Sequence, residues 1–89
     1  MEVLNDILGY KNRKIYQDTD CFSFSLDSIM LANFATIRLK DNSIVDLGCG
    51  NGVIPLIMSL RTTRKIIGVE LQEKLADMAI RSVKYNDLE

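Results

Sequence analysis

The sequence contains no histidine and no tryptophan, a single proline, and only two cysteines among its 89 residues. Without histidine, a Ser-His-Asp or Cys-His nucleophile arrangement cannot be assembled, and no catalytic residue is assigned. Cys21 and Cys49 form no C-x-x-C pair, so a zinc centre lacks its usual ligands and no metal is expected. Two free thiols fit a reducing compartment. No apolar run approaches the ~20 residues of a membrane span, so no membrane contact is expected. The opening does not read as a signal peptide, because Glu2 follows Met1 directly and Asp6 interrupts the first apolar stretch. The expected location is the cytoplasm. The net charge of -1 gives the chain no overall pull towards nucleic acid; a basic surface for RNA would lie elsewhere or on a partner.

What remains is an ordinary globular composition, 47% apolar and 26% charged, in a chain long enough for one domain with a limited core. There are no internal repeats, low-complexity segments or linkers. Leu4, Ile7 and Leu8 predict a short helical face ended by Gly9. Lys14 to Gln17 reads as a short strand, Asp18 to Asp20 as a turn, and Cys21 to Phe24 alternates like a strand. Ser25 or Asp27 is expected to cap a largely buried helix over roughly 27–37, followed by a turn at Lys40 to Asn42. Ser43 to Leu47 is a strand, Gly48 to Gly52 a loop, and Val53 to Leu60 a helix with Pro55 in its first turn. A second strand over 65–70 and an amphipathic helix over 71–85, stopped at Asn86, complete the pattern. Both strands are apolar on both faces, as parallel strands are when helices cover each side. Strand, loop, helix, strand, helix makes a βαβ unit with its next helix, and the crossover makes the strands parallel. Two parallel strands make a poor sheet. A third is therefore expected beyond Glu89 or from an oligomer.

Chemistry concentrates in Ile44-Val-Asp-Leu-Gly-Cys-Gly-Asn-Gly-Val53. Glycines at 48, 50 and 52 bring bare backbone up to a small ligand and permit positive φ. The following helix presents free N–H groups. A dinucleotide fingerprint would place its third glycine at position 53, where Val53 stands instead. Asp46 would repel a pyrophosphate but suits a cationic amino group. Both features move the loop from NAD towards S-adenosylmethionine (SAM). A purely structural strand-to-helix turn needs one glycine rather than three. Glu70, eighteen residues after Gly52, is spaced to take the hydroxyls of an adenosine ribose, a feature common to SAM and NAD sites. A solvated carboxylate or helix cap is the plainer alternative. The segment Phe22-Ser-Phe-Ser-Leu-Asp27 reads from residue types as an edge strand plus a helix cap; a flap over the ligand is the functional alternative. Lys11, Arg13, Lys14, Arg61, Arg64 and Lys65 are diluted by acidic neighbours and read as solvated surface.

Val45-Asp-Leu-Gly-Cys-Gly-Asn-Gly52 resembles motif I of the class I SAM-dependent methyltransferases, and Glu70 falls where that superfamily keeps its ribose-binding acid. The run Cys21 to Ala35, followed by motif I, is similar to the start of the bacterial tRNA (adenine-N6) methyltransferases, which modify an adenine beside the anticodon of a valine tRNA. The resemblance implies SAM as cofactor. Asp46 would face the methionine amino group, and Gly48, Cys49 and Gly50 would lie along the methionine and ribose, with Asn51 and Gly52 completing the loop. Glu70 would hold the ribose hydroxyls with Leu71 beside the adenine. Phe24, Ser25 and Asp27 would belong to the segment closing over the methionine end. One departure is large. The family carries an Asn-Pro-Pro-Tyr motif that holds the target amine, whereas Pro55 is the only proline in this chain.

The expectation is therefore an α/β chain: the N-terminal part of a Rossmann-like SAM methyltransferase fold, a βαβα unit with parallel strands preceded by a short strand and a helix. Residues 1–24 form an extension and 25–89 the cofactor-binding portion of a single, truncated domain. By itself it would be inactive, with tRNA or another nucleic acid engaged through the missing C-terminal part. The alternatives are a non-catalytic βαβ interaction module, forming homo-oligomers through its open sheet edge, and a class I methyltransferase acting on a protein or small molecule.

Overall fold

The computed structural model describes residues 1–7, 10–19, 26–38 and 40–89. Among the described residues seven elements follow in order: β1 (Glu2–Ile7), β2 (Tyr10–Asp18), α1 (Leu26–Phe34), β3 (Ser43–Leu47), α2 (Val53–Met58), β4 (Lys65–Val69) and α3 (Glu73–Tyr85). The fold is mixed α/β. β3 and β4 pair in parallel, from Ser43 against Lys65 to Leu47 against Val69, as the intervening helix requires. β1 and β2 form a separate antiparallel sheet.

The N-terminal segment departs from the helical face expected of Leu4, Ile7 and Leu8: β1 is a strand, and Leu8 and Gly9 lie outside the described residues. Six or seven residues cannot sustain a helix in isolation. β2 instead supplies a partner along the whole of β1, with Glu2 opposite Asp18 and Asp6 opposite Lys14, and Asn5 Nδ2 donates to Gln17 Oε1 across the pair at 2.9 Å. The strand expected at Lys14 to Gln17 exists but is nine residues long, and it absorbs Asp18 from the expected turn. The alternating run Cys21 to Phe24 and the cap position Ser25 lie outside the described residues.

α1 ends at Phe34, three residues before Ile37, and is not largely buried. Ala32 is in the core, while Met30, Leu31 and Phe34 are exposed, Phe34 at 77%. α2 stops at Met58 rather than Leu60, and the chain turns through Ser59 to Arg61. The core joins Ile7 and Ile15 of the hairpin, Ala32 of α1, and Val53, Leu56, Ile57 and Met58 of α2, with Ile44 and Ile66 packed against it from the parallel sheet.

The parallel sheet is covered on one face only, against the expectation of two. Strand alternation puts Val45 opposite Ile67 and Leu47 opposite Val69, and all four are exposed, Leu47 at 79%. Ile44 and Ile66, on the opposite face, are the positions that meet the core.

α3 docks chiefly on the hairpin. Arg81 pairs with Glu2 at 2.7 Å and lies over the Tyr16 ring at 4.9 Å, and Tyr85 meets that ring edge-on. Lys74 pairs with the buried Asp18 carboxylate. Among the described residues, the outer edge of β2 meets side chains rather than a third strand. Lys14 N donates to Asn86 Oδ1 at 2.9 Å, and Asn86 Nδ2 donates back to Lys14 O at 2.6 Å. Tyr16 N donates to the fully buried Ser82 hydroxyl at 2.8 Å. Backbone groups that would otherwise be buried unpaired are thereby satisfied.

Candidate functional site

β3 delivers Asp46 and Leu47 to the start of the glycine loop at the end where β4 delivers Glu70. Gly48, Gly50 and Gly52 all have positive φ, at 70°, 58° and 93°. Val69 O accepts from both Gly48 N (2.7 Å) and Cys49 N (3.0 Å), so the loop is sewn to the end of β4 as well as growing out of β3. Gly52 N donates to Cys49 O at 2.9 Å, and Gly52 O then accepts from Leu56 N, which opens α2.

The three glycines are required for different reasons. A methyl group at Gly48 or Gly50 would meet nothing within 4 Å, so these positions border open space. A methyl group at Gly52 would lie 3.3 Å from Ala79 Cβ: Gly52 is where the loop backbone touches α3. Val53, next in sequence, is buried in the core. A fourth glycine, Gly68 on β4, was not singled out from the sequence. A methyl group there would come within 2.8 Å of Cys49 Sγ, so the Cys49 side chain sits on β4 only because Gly68 is bare. An isolated glycine inside a strand pattern is the signal that marks such a close approach.

The two carboxylates are pushed in opposite directions. Burial raises the Asp46 carboxyl above its usual range, and Oδ2 is buried with no hydrogen-bond partner. An ionised, half-buried carboxylate with an unfilled acceptor calls for a cationic donor. Glu70 is held below its usual range by backbone N–H groups, first that of Gln72 and then that of Gly50. Oε2 accepts from Gln72 N at 3.0 Å and Oε1 from Gly50 N at 2.8 Å. It stays ionised and fixed, with lone pairs to spare for a diol. The Cys49 thiol is raised by burial and then by the Asp46 and Glu70 charges, which makes it a poor nucleophile.

Asp46, Gly48, Cys49, Gly50, Gly52 and Glu70 are thus gathered at one end of the parallel sheet, with Leu71 beside them at 95% exposure. Asn51 is in the loop, but its side chain is committed elsewhere: it is buried, and Nδ2 donates to Tyr16 O at 3.1 Å. Asp27 is exposed in the first turn of α1, and Phe24 and Ser25 lie outside the described residues. Among the described residues no cluster of acidic or sulfur side chains is placed to hold a metal, and no helix is long and apolar enough to cross a membrane. The orphaned Asp46 oxygen, the open side of Gly48 and Gly50, and the anchored Glu70 fit the amino group, backbone approach and ribose of SAM.

This combination of a parallel βαβ unit, a three-glycine loop and an acidic second strand end resembles the SAM-dependent methyltransferases. The relatives found by comparison carry that resemblance in their names. The tRNA1(Val) (adenine(37)-N6)-methyltransferase of Edwardsiella ictaluri is 41% identical over 46 residues, which are 52% of this chain and 19% of the relative. The enzyme of the same name from Christiangramia forsetii is 25% identical over 84 residues, 93% of this chain and 35% of the relative. The ribosomal protein L11 methyltransferase of Bacteroides thetaiotaomicron is 24% identical over 62 residues, 70% of this chain and 22% of the relative. The chain therefore spans about a fifth to a third of the length of the curated relatives it matches. No protein-family model matches it.

Proposed function

We propose that this chain is the SAM-binding part of a methyltransferase that acts on the exocyclic amine of a tRNA adenine. The observation that carries the reading is the buried, unpartnered Asp46 oxygen beside a glycine loop whose outer side is open. Asp46 would take the methionine ammonium, and Gly48, Cys49 and Gly50 would lie along the ligand through their backbone. Glu70 would take the ribose hydroxyls, Leu71 would lie beside the adenine, and Phe24, Ser25 and Asp27 would close the methionine end. When bound, SAM supplies an electrophilic methyl carbon. The protein's share is orientation and exclusion of water. The adenine target is favoured by the names of the relatives; a ribosomal-protein substrate, as named for a third relative, is the next choice. Residues 1–24 would be an extension and 25–89 the cofactor portion of a cytoplasmic enzyme. With no Asn-Pro-Pro-Tyr motif in the sequence, the chain alone would bind cofactor and transfer nothing.

Titration calorimetry with SAM and NAD in parallel tests the reading. SAM binds, NAD does not, and Asp46→Lys abolishes the SAM signal. Equal SAM affinity in Asp46→Lys would falsify the assignment.

A second reading, an interaction module, is favoured by one feature. A groove of about 340 Å³ runs between β4 and α3, walled by Ile66, Gly68, Ala79, Ile80 and Val83, and β4 has no outer strand partner among the described residues. Such an edge is a template for another chain. Sedimentation over a concentration series separates the two: self-association favours the module, and a strict monomer that binds SAM excludes it.

A further inference from the structure

We propose that Asn51 is a positioning residue: its side chain ties the glycine loop to the N-terminal hairpin and holds the loop in the shape the ligand meets. Asn51 stands between two left-handed glycines, Gly50 at φ 58° and Gly52 at φ 93°. Backbone of that kind has the widest choice of conformations, and ordering it costs the most entropy. Within Gly48 to Gly52, the Cys49 side chain rests on β4, and the Asn51 side chain hydrogen-bonds to the hairpin. It is only 7% exposed, and Nδ2 donates to the Tyr16 carbonyl, 35 residues earlier in the chain, at 3.1 Å.

The acceptor is itself held. Tyr16 N is bonded to the Ser82 hydroxyl, and Lys14, two residues back on the same strand edge, is gripped in both directions by the Asn86 amide. The edge of β2 is thus a fixed rail built by α3, and Asn51 is the loop's attachment to it. The loop's other attachments are the backbone bonds to Val69 O, the Gly50–Glu70 contact and the Cys49 side chain on Gly68, all on the β4 side, and the packing of Gly52 against Ala79 of α3. Asn51 adds a hydrogen bond to the hairpin, a third element. A loop already in its bound shape spares the ligand the cost of ordering it. The hairpin, which lies outside the βαβ unit, thereby becomes part of the site's support.

The test uses the full chain. The affinity arm rests on the SAM reading; the exchange arm does not. In the ligand-free protein, amide hydrogen exchange is followed by NMR in Asn51→Ala and in Asn51→Asp, which keeps the size and loses the donor. The Gly52 N–H, bonded to Cys49 O, exchanges about tenfold faster in both, while the strand amides of β3 and β4 stay within about twofold of the parent. Asn5→Ala is the matched control. It breaks the hairpin bond from Asn5 Nδ2 to Gln17 Oε1, leaves the Tyr16 carbonyl and the Asn86 and Ser82 bonds in place, and keeps Gly52 near its parent rate. By calorimetry, SAM binds about tenfold more weakly to the Asn51 variants and unchanged to Asn5→Ala. Unchanged Gly52 exchange overturns the proposal. So does an equal effect of Asn5→Ala, or global unfolding of both Asn51 variants, which would make Asn51 a core residue only. If the parent binds no SAM while the exchange pattern holds, the SAM reading fails and the positioning role stands.

Discussion

Adding one methyl group to β4 tests how closely the glycine loop sits on the sheet. In Gly68→Ala the new Cβ would lie 2.8 Å from Cys49 Sγ and 3.2 Å from Cys49 Cβ, where an unstrained contact needs ~3.5–4.0 Å. Gly68 has no positive φ, so alanine fits its backbone and the whole effect is contact. Overpacking of this kind costs about 1–3 kcal/mol. Replacing a strand glycine by alanine returns about 0.5–1 kcal/mol of chain entropy. Subtracting the second figure from the first leaves a loss of about 0–2.5 kcal/mol, with a midpoint of about 1.2 kcal/mol. In a chain this short each kcal/mol moves Tm by about 4–8 °C, so calorimetric melting should show a fall on the order of 5–10 °C. The cause is identified by Cys49→Ala, which removes the sulfur. In the double variant the cost of Gly68→Ala shrinks, with a coupling of about 1 kcal/mol or more, because the two residues touch. SAM affinity falls with the single variant, since Cys49 lies between Gly48 and Gly50. If Gly68→Ala melts at or above the parent temperature, or its cost is the same with and without the sulfur, the close approach described here is wrong.

The loop glycines should separate by role. Gly52→Ala combines φ 93° with a 3.3 Å contact to Ala79 and lowers stability by about 2–4 kcal/mol in denaturant titration, whereas Gly48→Ala and Gly50→Ala cost only about 1–2 kcal/mol of strain but place a methyl where a ligand would approach; greater loss of stability in Gly48→Ala than in Gly52→Ala would reverse the assignment. Asp46 gives a pH test. Its folded-state pKa is raised, so ionisation opposes folding, and stability falls as pH climbs from the unfolded value through the raised one. Asp46→Asn should therefore melt higher than the parent at pH 7, with the advantage fading towards pH ~3.8, while losing SAM; a lower melting temperature at pH 7 would refute the burial argument. Ser82→Ala strips the acceptor from Tyr16 N in a fully buried position and costs about 1–3 kcal/mol by urea denaturation; a cost below a few tenths would mean the hairpin edge is satisfied some other way.

The parallel unit was legible because its residues leave little choice. Ser43 to Leu47 and Lys65 to Glu70 are too short and too apolar to be anything but strands beside a glycine loop; β3 has its expected bounds, and β4 stops at Val69, one residue before Glu70. Leu75, Met78, Ala79 and Val83 keep helical spacing, and α3 follows, starting at Glu73 rather than Leu71 and ending at Tyr85 with Asn86 as its C-cap. Asp46 and Glu70 were visible because a carboxylate at the end of an apolar strand has no packing role. The first twenty residues were not legible. Leu4, Ile7 and Leu8 fit a helix face as well as a strand, and a long-range partner, β2, decided between them. Exposure of α1 and of one sheet face was equally hidden, since an apolar side chain reads the same whether something covers it or not.

Local chemistry therefore determined which backbone must turn, which helices and strands can form, and which carboxylates stand beside the turn. Distance decided the rest. That Gly52 abuts Ala79, that Gly68 makes room for Cys49, and that Asn51 reaches back to Tyr16 are meetings of residues 19 to 35 positions apart. Spacing along the chain carries no record of them. They exist only once the hairpin, the loop and α3 have packed, because a buried amide must find a carbonyl and a buried methyl must find a gap.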